Sequence, residues 1–136
     1  MSPGLLRQVW RRAERRCEYC HLPASCYLWP FHVDHIIARQ HGGQTTSENL
    51  ALACLHCNLH KGSNIAGRDA NTGRLIPLFH PRQDQWRDHF EWTAAELVGR
   101  TPIGRITIQV LAMNDPDFLA VREALLEEGV FPLNDG

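Results

Sequence analysis

The sequence predicts a single α+β domain over its 136 residues. Apolar residues recur at three- and four-residue spacing near both ends of the chain, which is typical of helices, and β-branched and aromatic runs between them predict short strands. The apolar fraction of 43% and the charged fraction of 21% are ordinary for a globular chain. Disorder, collagen and coiled coil are therefore excluded as the main state, and no apolar run approaches the ~18–20 residues that span a membrane.

The first helix is predicted over residues 2–16. Pro3 fits the first helical position, and Leu5, Val9 and Ala13 form one apolar row. Five arginines occupy the remaining surface: Arg7, Arg11, Arg12, Arg15 and Arg16. They form either a solvated face or a contact surface for the phosphates of a nucleic acid.

Two strands and a short helix are predicted in the middle of the chain. A turn-rich segment precedes residues 31–37, whose aromatic and β-branched side chains favour a strand. The polar loop 41–47 leads to a returning strand over residues 50–53. A helix should then begin near Cys54 and end at or near Gly62.

The C-terminal portion, residues 67–136, is predicted to extend the same domain. Residues 64–73 are expected to form a loop and residues 74–79 a strand. Proline signals start one helix at Thr101 and another after Asn114, with the second ending at Gly129. The expected core residues of this portion are aromatic: Trp86, Phe90 and Trp92.

The charges are distributed unevenly about a net charge of −1. Residues 1–82 hold ten Lys and Arg against five Asp and Glu, whereas residues 83–136 hold four against ten. The basic portion suits a phosphate-rich partner, unless the two portions are unrelated solvated surfaces. Residues 1–7 lack the apolar core of a signal peptide, so we expect a cytoplasmic protein with reduced thiols.

Two cysteine pairs predict a structural zinc site. Cys17 and Cys20 form one C-x-x-C pair, and Cys54 and Cys57 form the other. Two such pairs supply the tetrahedral four-sulfur shell that zinc favours in structural sites, and this shell leaves no open position for catalysis. The ion would join the end of the first helix to the start of the second. Cys26 is interpreted as a small buried residue outside the site.

The segment between the cysteine pairs carries a second set of chemically active residues. In chain order it holds His32-Val33-Asp34-His35-Ile36-Ile37, Gly42-Gly43, Glu48-Asn49-Leu50 and Cys54 through Gly62 with Asn58 and Lys61. This order resembles the HNH endonuclease family over about residues 15–65. The resemblance implies a ββα-metal fold, in which two strands and a helix surround one catalytic metal, here with a four-cysteine zinc site.

The resemblance also implies roles for individual residues. His35 takes the position of the general base, and Asp34 that of a metal ligand. Asn49 matches the central asparagine that holds the loop and helps to orient the base. Asn58 matches the third motif position, as a ligand to the metal, so the pattern here is HNN. Lys61 matches a basic position that faces phosphate.

The chemistry of these residue types agrees with phosphodiester hydrolysis. A neutral imidazole can take a proton from water at neutral pH. Oxygen ligands from Asp34 and Asn58 suit a hard cation such as Mg²⁺ or Mn²⁺. Because neighbours on a strand point to opposite faces, Asp34 and His35 can serve one phosphate only at a strand end or a bulge. Arg39, beside the loop, is a further candidate for phosphate contact.

Three other histidines remain alternatives within this segment. His56 and His60 are competing candidates for the catalytic metal, and His32 could take part in substrate binding or replace the base. The expected function is metal-dependent cleavage of nucleic acid, with DNA preferred as the substrate. The alternative is a zinc-stabilised module that binds nucleic acid or protein without turnover.

Overall fold

A computed structural model describes residues 1–131 and has the predicted α+β class. The helices are α1 (Pro3–Arg12), α2 (Leu55–Lys61), the single turn α3 (Trp86–His89), α4 (Pro102–Val110) and α5 (Pro116–Glu127). The strands are β1 (His32–His35), β2 (Leu50–Ala53), β3 (Ala66–Arg68), β4 (Leu75–Pro77), β5 (Phe90–Thr93) and β6 (Glu96–Gly99). Within the described residues they pair as three antiparallel two-stranded sheets, β1–β2, β3–β4 and β5–β6.

Helix α1 is shorter than the pattern predicts. The Ser2 hydroxyl accepts a hydrogen bond from the Leu5 backbone N–H and caps its start. The helix ends at Arg12, and Glu14 and Arg15 then take positive φ values of 55° and 58°, which a right-handed helix cannot contain.

The apolar row of α1 packs on strand β2. Val9 forms a small buried cluster with Leu50 and Leu52, and the Arg12 guanidinium donates to the Leu50 carbonyl at 2.8 Å. Part of the basic surface of α1 therefore serves packing within the chain.

Strands β1 and β2 and helix α2 form the predicted ββα unit. His32 pairs with Ala53 at one end and His35 with Leu50 at the other, and every residue of β2 is buried. Strand β1 ends at His35 rather than Ile37, because the Ile37 N–H donates to the Asn49 side chain and the Asn49 N–H donates to the Thr46 carbonyl rather than back to β1.

The C-terminal portion contains more strand than predicted. Strand β3 lies within the expected loop 64–73, and the hairpin of β5 and β6 was not expected. Both strands of each hairpin have only three or four residues, too few to show a clear period of two. Gly67 of β3 is needed for packing, because a Cβ there would lie 2.8 Å from methyl groups of Ile106 and Val110 on α4.

One buried cluster connects the two portions of the chain. It contains the four predicted zinc cysteines together with residues of the C-terminal portion, among them Phe79, Phe90, Leu97, Ile106, Phe118 and Phe131. Phe90 is buried as predicted, and Trp86 and Trp92 are half-buried against the cluster. No described helix is both long and apolar enough to cross a membrane.

Candidate functional site

The two cysteine pairs come together in the buried core. All four side chains are 0% exposed, and their sulfur atoms lie within 4.8 Å of one another. The backbone N–H groups of Cys20 and Cys57 point at Cys17 Sγ and Cys54 Sγ, at 3.5 and 3.4 Å. Each C-x-x-C pair thus folds into a turn that directs both thiols inward.

The sulfur spacing fits a zinc ion. Four sulfurs at about 2.3 Å from a tetrahedral zinc are about 3.8 Å apart, and Cys20 Sγ lies 3.7 Å from Cys54 Sγ. A disulfide needs about 2.05 Å, and all five cysteines are free thiols. The site joins residues 17–20 to the start of α2, as predicted for the second helix, but α1 ends at Arg12, before the first cysteine pair. Cys26 lies outside the site and is half-buried rather than buried.

Burial and mutual contact shift the pKa values of three of these thiols. Burial and hydrogen bonds from neighbouring thiols raise the pKa of Cys20 and Cys57 well above its usual value. Burial acts the same way on Cys17, but hydrogen bonds from the other three thiols outweigh it and lower its pKa. A bound zinc would favour the thiolate form of its cysteine ligands, because the thiolate is the form that binds metal.

Asp34 is buried on the inner face of β1, with 8% of its side chain exposed. Its Oδ2 accepts hydrogen bonds from the Tyr19 hydroxyl at 3.1 Å and from the Lys61 ammonium at 3.0 Å. Burial raises the pKa of Asp34, and the charge of Lys61, the two hydrogen bonds and the nearby His35 oppose that shift. The carboxylate is thus held in place by two residues from outside its own strand.

Lys61 occupies a different environment from the one predicted. Its side chain is only 2% exposed, and its ammonium also donates to the His35 carbonyl at 3.1 Å. The expected phosphate contact would need an accessible charge, whereas this charge is buried in an ion pair with Asp34. Lys61 instead fixes helix α2 to the end of strand β1.

His35 is the last residue of β1, which is the strand-end position that the predicted chemistry requires. Its imidazole Nε2 lies 2.9 Å from the Thr45 hydroxyl, on the loop that follows. Its carbonyl is bound by Lys61. Lys61 therefore fixes the backbone of His35, and Thr45 orients its ring.

Asn49 holds the loop between β1 and β2. Its side-chain amide accepts from the Ile37 N–H at 2.9 Å and donates to the Ile37 and Gln44 carbonyls at 3.0 and 2.8 Å. Gly43 passes so close that a Cβ there would lie 1.7 Å from the Ile37 oxygen. Only glycine fits this crossing, so the Gly43 and Asn49 positions together determine the shape of the loop.

Asn58 is half-buried on α2. It precedes Lys61 by three residues, and residues at that spacing are neighbours on one helix face. Its side chain makes no hydrogen bond to another described residue, so the amide is available to a ligand. Arg39 is exposed in a single 3₁₀ turn, residues 39–41, between Asp34 and the loop.

The residues present are chemically suited to a hard divalent cation. Asp34 Oδ1 accepts no hydrogen bond from any described residue, which leaves one carboxylate oxygen beside the Asn58 helix. Lys61 already neutralises part of the Asp34 charge, so a cation would share the carboxylate with the ammonium. His56 and His60 lie elsewhere on α2, about 160° around the helix from Asn58 at 100° per residue.

Sequence reasoning did not single out Tyr19 and Thr45 as parts of the site. Tyr19 lies inside the first cysteine pair, and Thr45 lies in a polar loop with several equivalent hydroxyls. Burial raises the pKa of Tyr19 well above its usual value, and the Asp34 charge adds to this, so its hydroxyl stays a donor. Only the spatial contact with Asp34 or His35 distinguishes these two residues from their neighbours.

Comparison with known families agrees with this geometry. The family model described as HNH endonuclease matches residues 17–64, somewhat over a third of the chain. Over this segment the chain is similar to HNH endonucleases. The match begins at Cys17, the first of the four clustered cysteines, and includes the loop, α2 and every candidate site residue named above. No curated protein and no solved structure matches the chain.

Proposed function

We propose that the chain is a metal-dependent HNH endonuclease that hydrolyses phosphodiester bonds, with DNA as its substrate. The observation that carries the proposal is the end of strand β1. There His35 ends the strand, Asp34 precedes it, and Lys61 binds both residues from the helix that carries Asn58. A zinc-binding scaffold alone has no need of an imidazole fixed beside a buried carboxylate.

His35 would act as the general base. A neutral imidazole can remove a proton from the attacking water, and its hydrogen bond with Thr45 limits the directions in which the ring can point. Asn49 supports this role by holding the loop that contains Thr45.

Asp34 and Asn58 would hold the catalytic cation, with Mg²⁺ or Mn²⁺ suited to their oxygen atoms. When bound, the ion would supply charge stabilisation at the phosphate and at the departing oxygen. Lys61 and Tyr19 would keep the Asp34 carboxylate in position, and Arg39, exposed beside the loop, would contact the nucleic acid backbone. The four cysteines would hold a structural zinc ion, which suits a reducing, cytoplasmic location.

One observation favours the alternative, a module that binds nucleic acid without cutting it. The ion pair with Lys61 already compensates the Asp34 charge, so Asp34 is stable in the absence of a divalent ion. The two functions predict different results in a cleavage experiment, because only a nuclease cuts the nucleic acid that it binds.

The test is the cleavage of supercoiled plasmid with and without Mg²⁺ or Mn²⁺. We expect cleavage that depends on the added ion, and a loss of about 10²–10⁴-fold in rate for His35→Ala, the usual contribution of a general base. The variant should retain nucleic acid binding and its zinc. His32→Ala, two residues earlier on the same strand, should cut within a few-fold of the parent chain.

The alternative outcomes are distinct. Binding without metal-dependent cleavage by the parent chain would favour the binding module. Full cleavage by His35→Ala together with loss in His32→Ala would move the base to His32. Parallel assays on DNA and RNA of the same sequence would check the expected preference for DNA.

A further inference from the structure

A second group of side chains that can ligate a metal lies on the opposite side of α2 from Asn58, which with Asp34 forms the proposed HNH site. His56 and His60 are four residues apart on this helix, and Asp115 lies at the start of α5. One ligand atom from each residue lies within 4.8 Å of the other two. Two imidazoles and one carboxylate form a ligand set that divalent transition metals bind in proteins.

The hydrogen bonds of the two imidazoles suit metal binding. His56 Nε2 lies 2.8 Å from the Ala112 carbonyl, and His60 Nδ1 lies 2.8 Å from the His56 carbonyl. A carbonyl can only accept, so each neutral ring directs its N–H at an oxygen and keeps a lone pair on its other nitrogen. Metal-binding histidines usually donate their second ring nitrogen in this way, which fixes the tautomer and the ring orientation.

The surroundings of His56 add to this arrangement. Its ring stacks on Phe118 with centroids 4.0 Å apart and lies 4.1 Å from the His60 ring. His60 and Asp115 are exposed, which leaves an ion open to solvent.

The Asp115 side chain does not cap helix α5, which it precedes. It occupies the N-cap position of α5, where an aspartate usually accepts a backbone hydrogen bond, but its side chain makes no such bond. One of its carboxylate oxygens instead lies within 4.8 Å of a ring nitrogen of His56 and of His60. The carboxylate is therefore free to complete a three-residue ligand set.

We propose that His56, His60 and Asp115 form a second metal site, specific for a borderline transition-metal ion such as Zn²⁺, that joins the HNH segment to the C-terminal portion. The ion would bind α2 to the junction of α4 and α5, and its remaining positions would hold water. The site is separate from the HNH metal site and does not depend on the proposed nuclease activity.

The experiment uses the full chain carrying its structural zinc, titrated with Zn²⁺ alone in a calorimeter. We expect one further equivalent to bind. His60→Ala and Asp115→Asn should each weaken that binding more than the ~10–100-fold that the loss of an outer hydrogen-bond partner costs. His41→Ala and Asp117→Asn change exposed residues of the same types outside the cluster, and both should bind like the parent chain.

The Asn58→Ala variant shows whether the further Zn²⁺ ion binds at this site or at the HNH site. The further equivalent should persist in that variant. Its loss in Asn58→Ala with retention in His60→Ala would assign the ion to the HNH site and overturn the proposal. Absence of a further equivalent in the parent chain, or equal binding by parent, His60→Ala and Asp115→Asn, would also overturn it. His60 and Asp115 are exposed, so thermal unfolding without added Zn²⁺ should show both variants folded.

Discussion

The HNH segment, residues 17–64, and the C-terminal portion, residues 67–131, are held together by different interactions. In the HNH segment the contacts that fix the structure are polar. They are the cluster of four cysteine thiols, the ion pair of Asp34 with Lys61, and the hydrogen bonds of the Asn49 side chain. The C-terminal portion depends on aromatic packing, with ring contacts connecting Phe79, Phe90, Trp86 and Trp92.

A buried arginine adds polar contacts to the C-terminal portion. Arg122 is 0% exposed, and its guanidinium donates to the Ala95 and Met113 carbonyls and to the Asn114 side chain. It also lies over the Trp92 and Phe118 rings, at 5.6 and 5.0 Å from their centroids. One side chain thus joins the β5–β6 hairpin to α5.

This difference explains why the sequence predicts the HNH segment better than the C-terminal portion. Metal ligands and polar loop contacts need particular residue types at fixed spacing, so they leave a motif in the sequence. Aromatic packing tolerates many combinations of residues of similar volume. The following changes test whether the two portions depend on these different interactions, from the largest expected effect to the smallest.

The largest effect is expected from Cys54→Ser. Apparent binding free energies of structural zinc reach about 10–16 kcal/mol, and in small domains this is folding free energy. The variant should lose its zinc and its cooperative thermal unfolding, measured by metal analysis and calorimetry. Cys26→Ser, which changes the thiol outside the cluster, should keep both. A folded, zinc-free parent chain would show that packing alone holds the HNH segment.

Arg122→Met should destabilise the C-terminal portion by about 3 kcal/mol, because each buried acceptor left unpaired costs about 1–3 kcal/mol. Urea unfolding measures the loss, and zinc analysis shows whether the HNH segment is affected. Arg105→Met, at an exposed position on α4, is the matched control and should change stability by no more than about 0.5 kcal/mol. Equal stability of the two variants would mean that the hydrogen bonds of Arg122 contribute nothing.

Asn49→Ala should cost about 2 kcal/mol and slow cleavage, because it removes three hydrogen bonds that hold the loop beside His35. Asn49→Asp keeps the acceptor for the Ile37 N–H but places a carboxylate oxygen against the Ile37 and Gln44 carbonyls, so it should cost at least as much as Asn49→Ala. Unfolding and plasmid cleavage are measured on the same preparations. Unchanged cleavage in both variants would show that the shape of the loop does not control the orientation of the His35 ring.

Tyr19→Phe should have the smallest effect, about 1 kcal/mol, because Asp34 keeps its ion pair with Lys61 when the Tyr19 hydroxyl is lost. Tyr27→Phe is the control, since the Tyr27 hydroxyl makes no hydrogen bond to a described residue. The more informative measurement is the Mg²⁺ or Mn²⁺ concentration that half-saturates cleavage, which should rise only in Tyr19→Phe. The same shift in both variants would show that the Tyr19 hydroxyl does not position Asp34.

The sequence predicted the ββα unit closely, because its elements are bounded by strong local signals. Strand β2 and the start of α2 fall where the apolar run and the second cysteine pair place them. The length of β1 was overestimated, because the hydrogen bonds that end it come from Asn49, twelve residues away from Ile37. The strands β3, β5 and β6 were missed, because each is short and stabilised by its partner and by packing rather than by its own pattern.

What the sequence alone determined is the chemistry available: two cysteine pairs at zinc spacing, and histidine, aspartate and asparagines in the order of an HNH segment. Ligand type and spacing are local properties of the sequence, so they can be recognised without knowledge of the tertiary structure. Only the tertiary structure decided the partner of each charge. Lys61 was expected at a phosphate and is buried against Asp34, and His56 and His60 meet Asp115 from a helix more than fifty residues away. A side chain's position in the sequence does not determine which charged groups surround it, because packing brings those groups from distant parts of the chain.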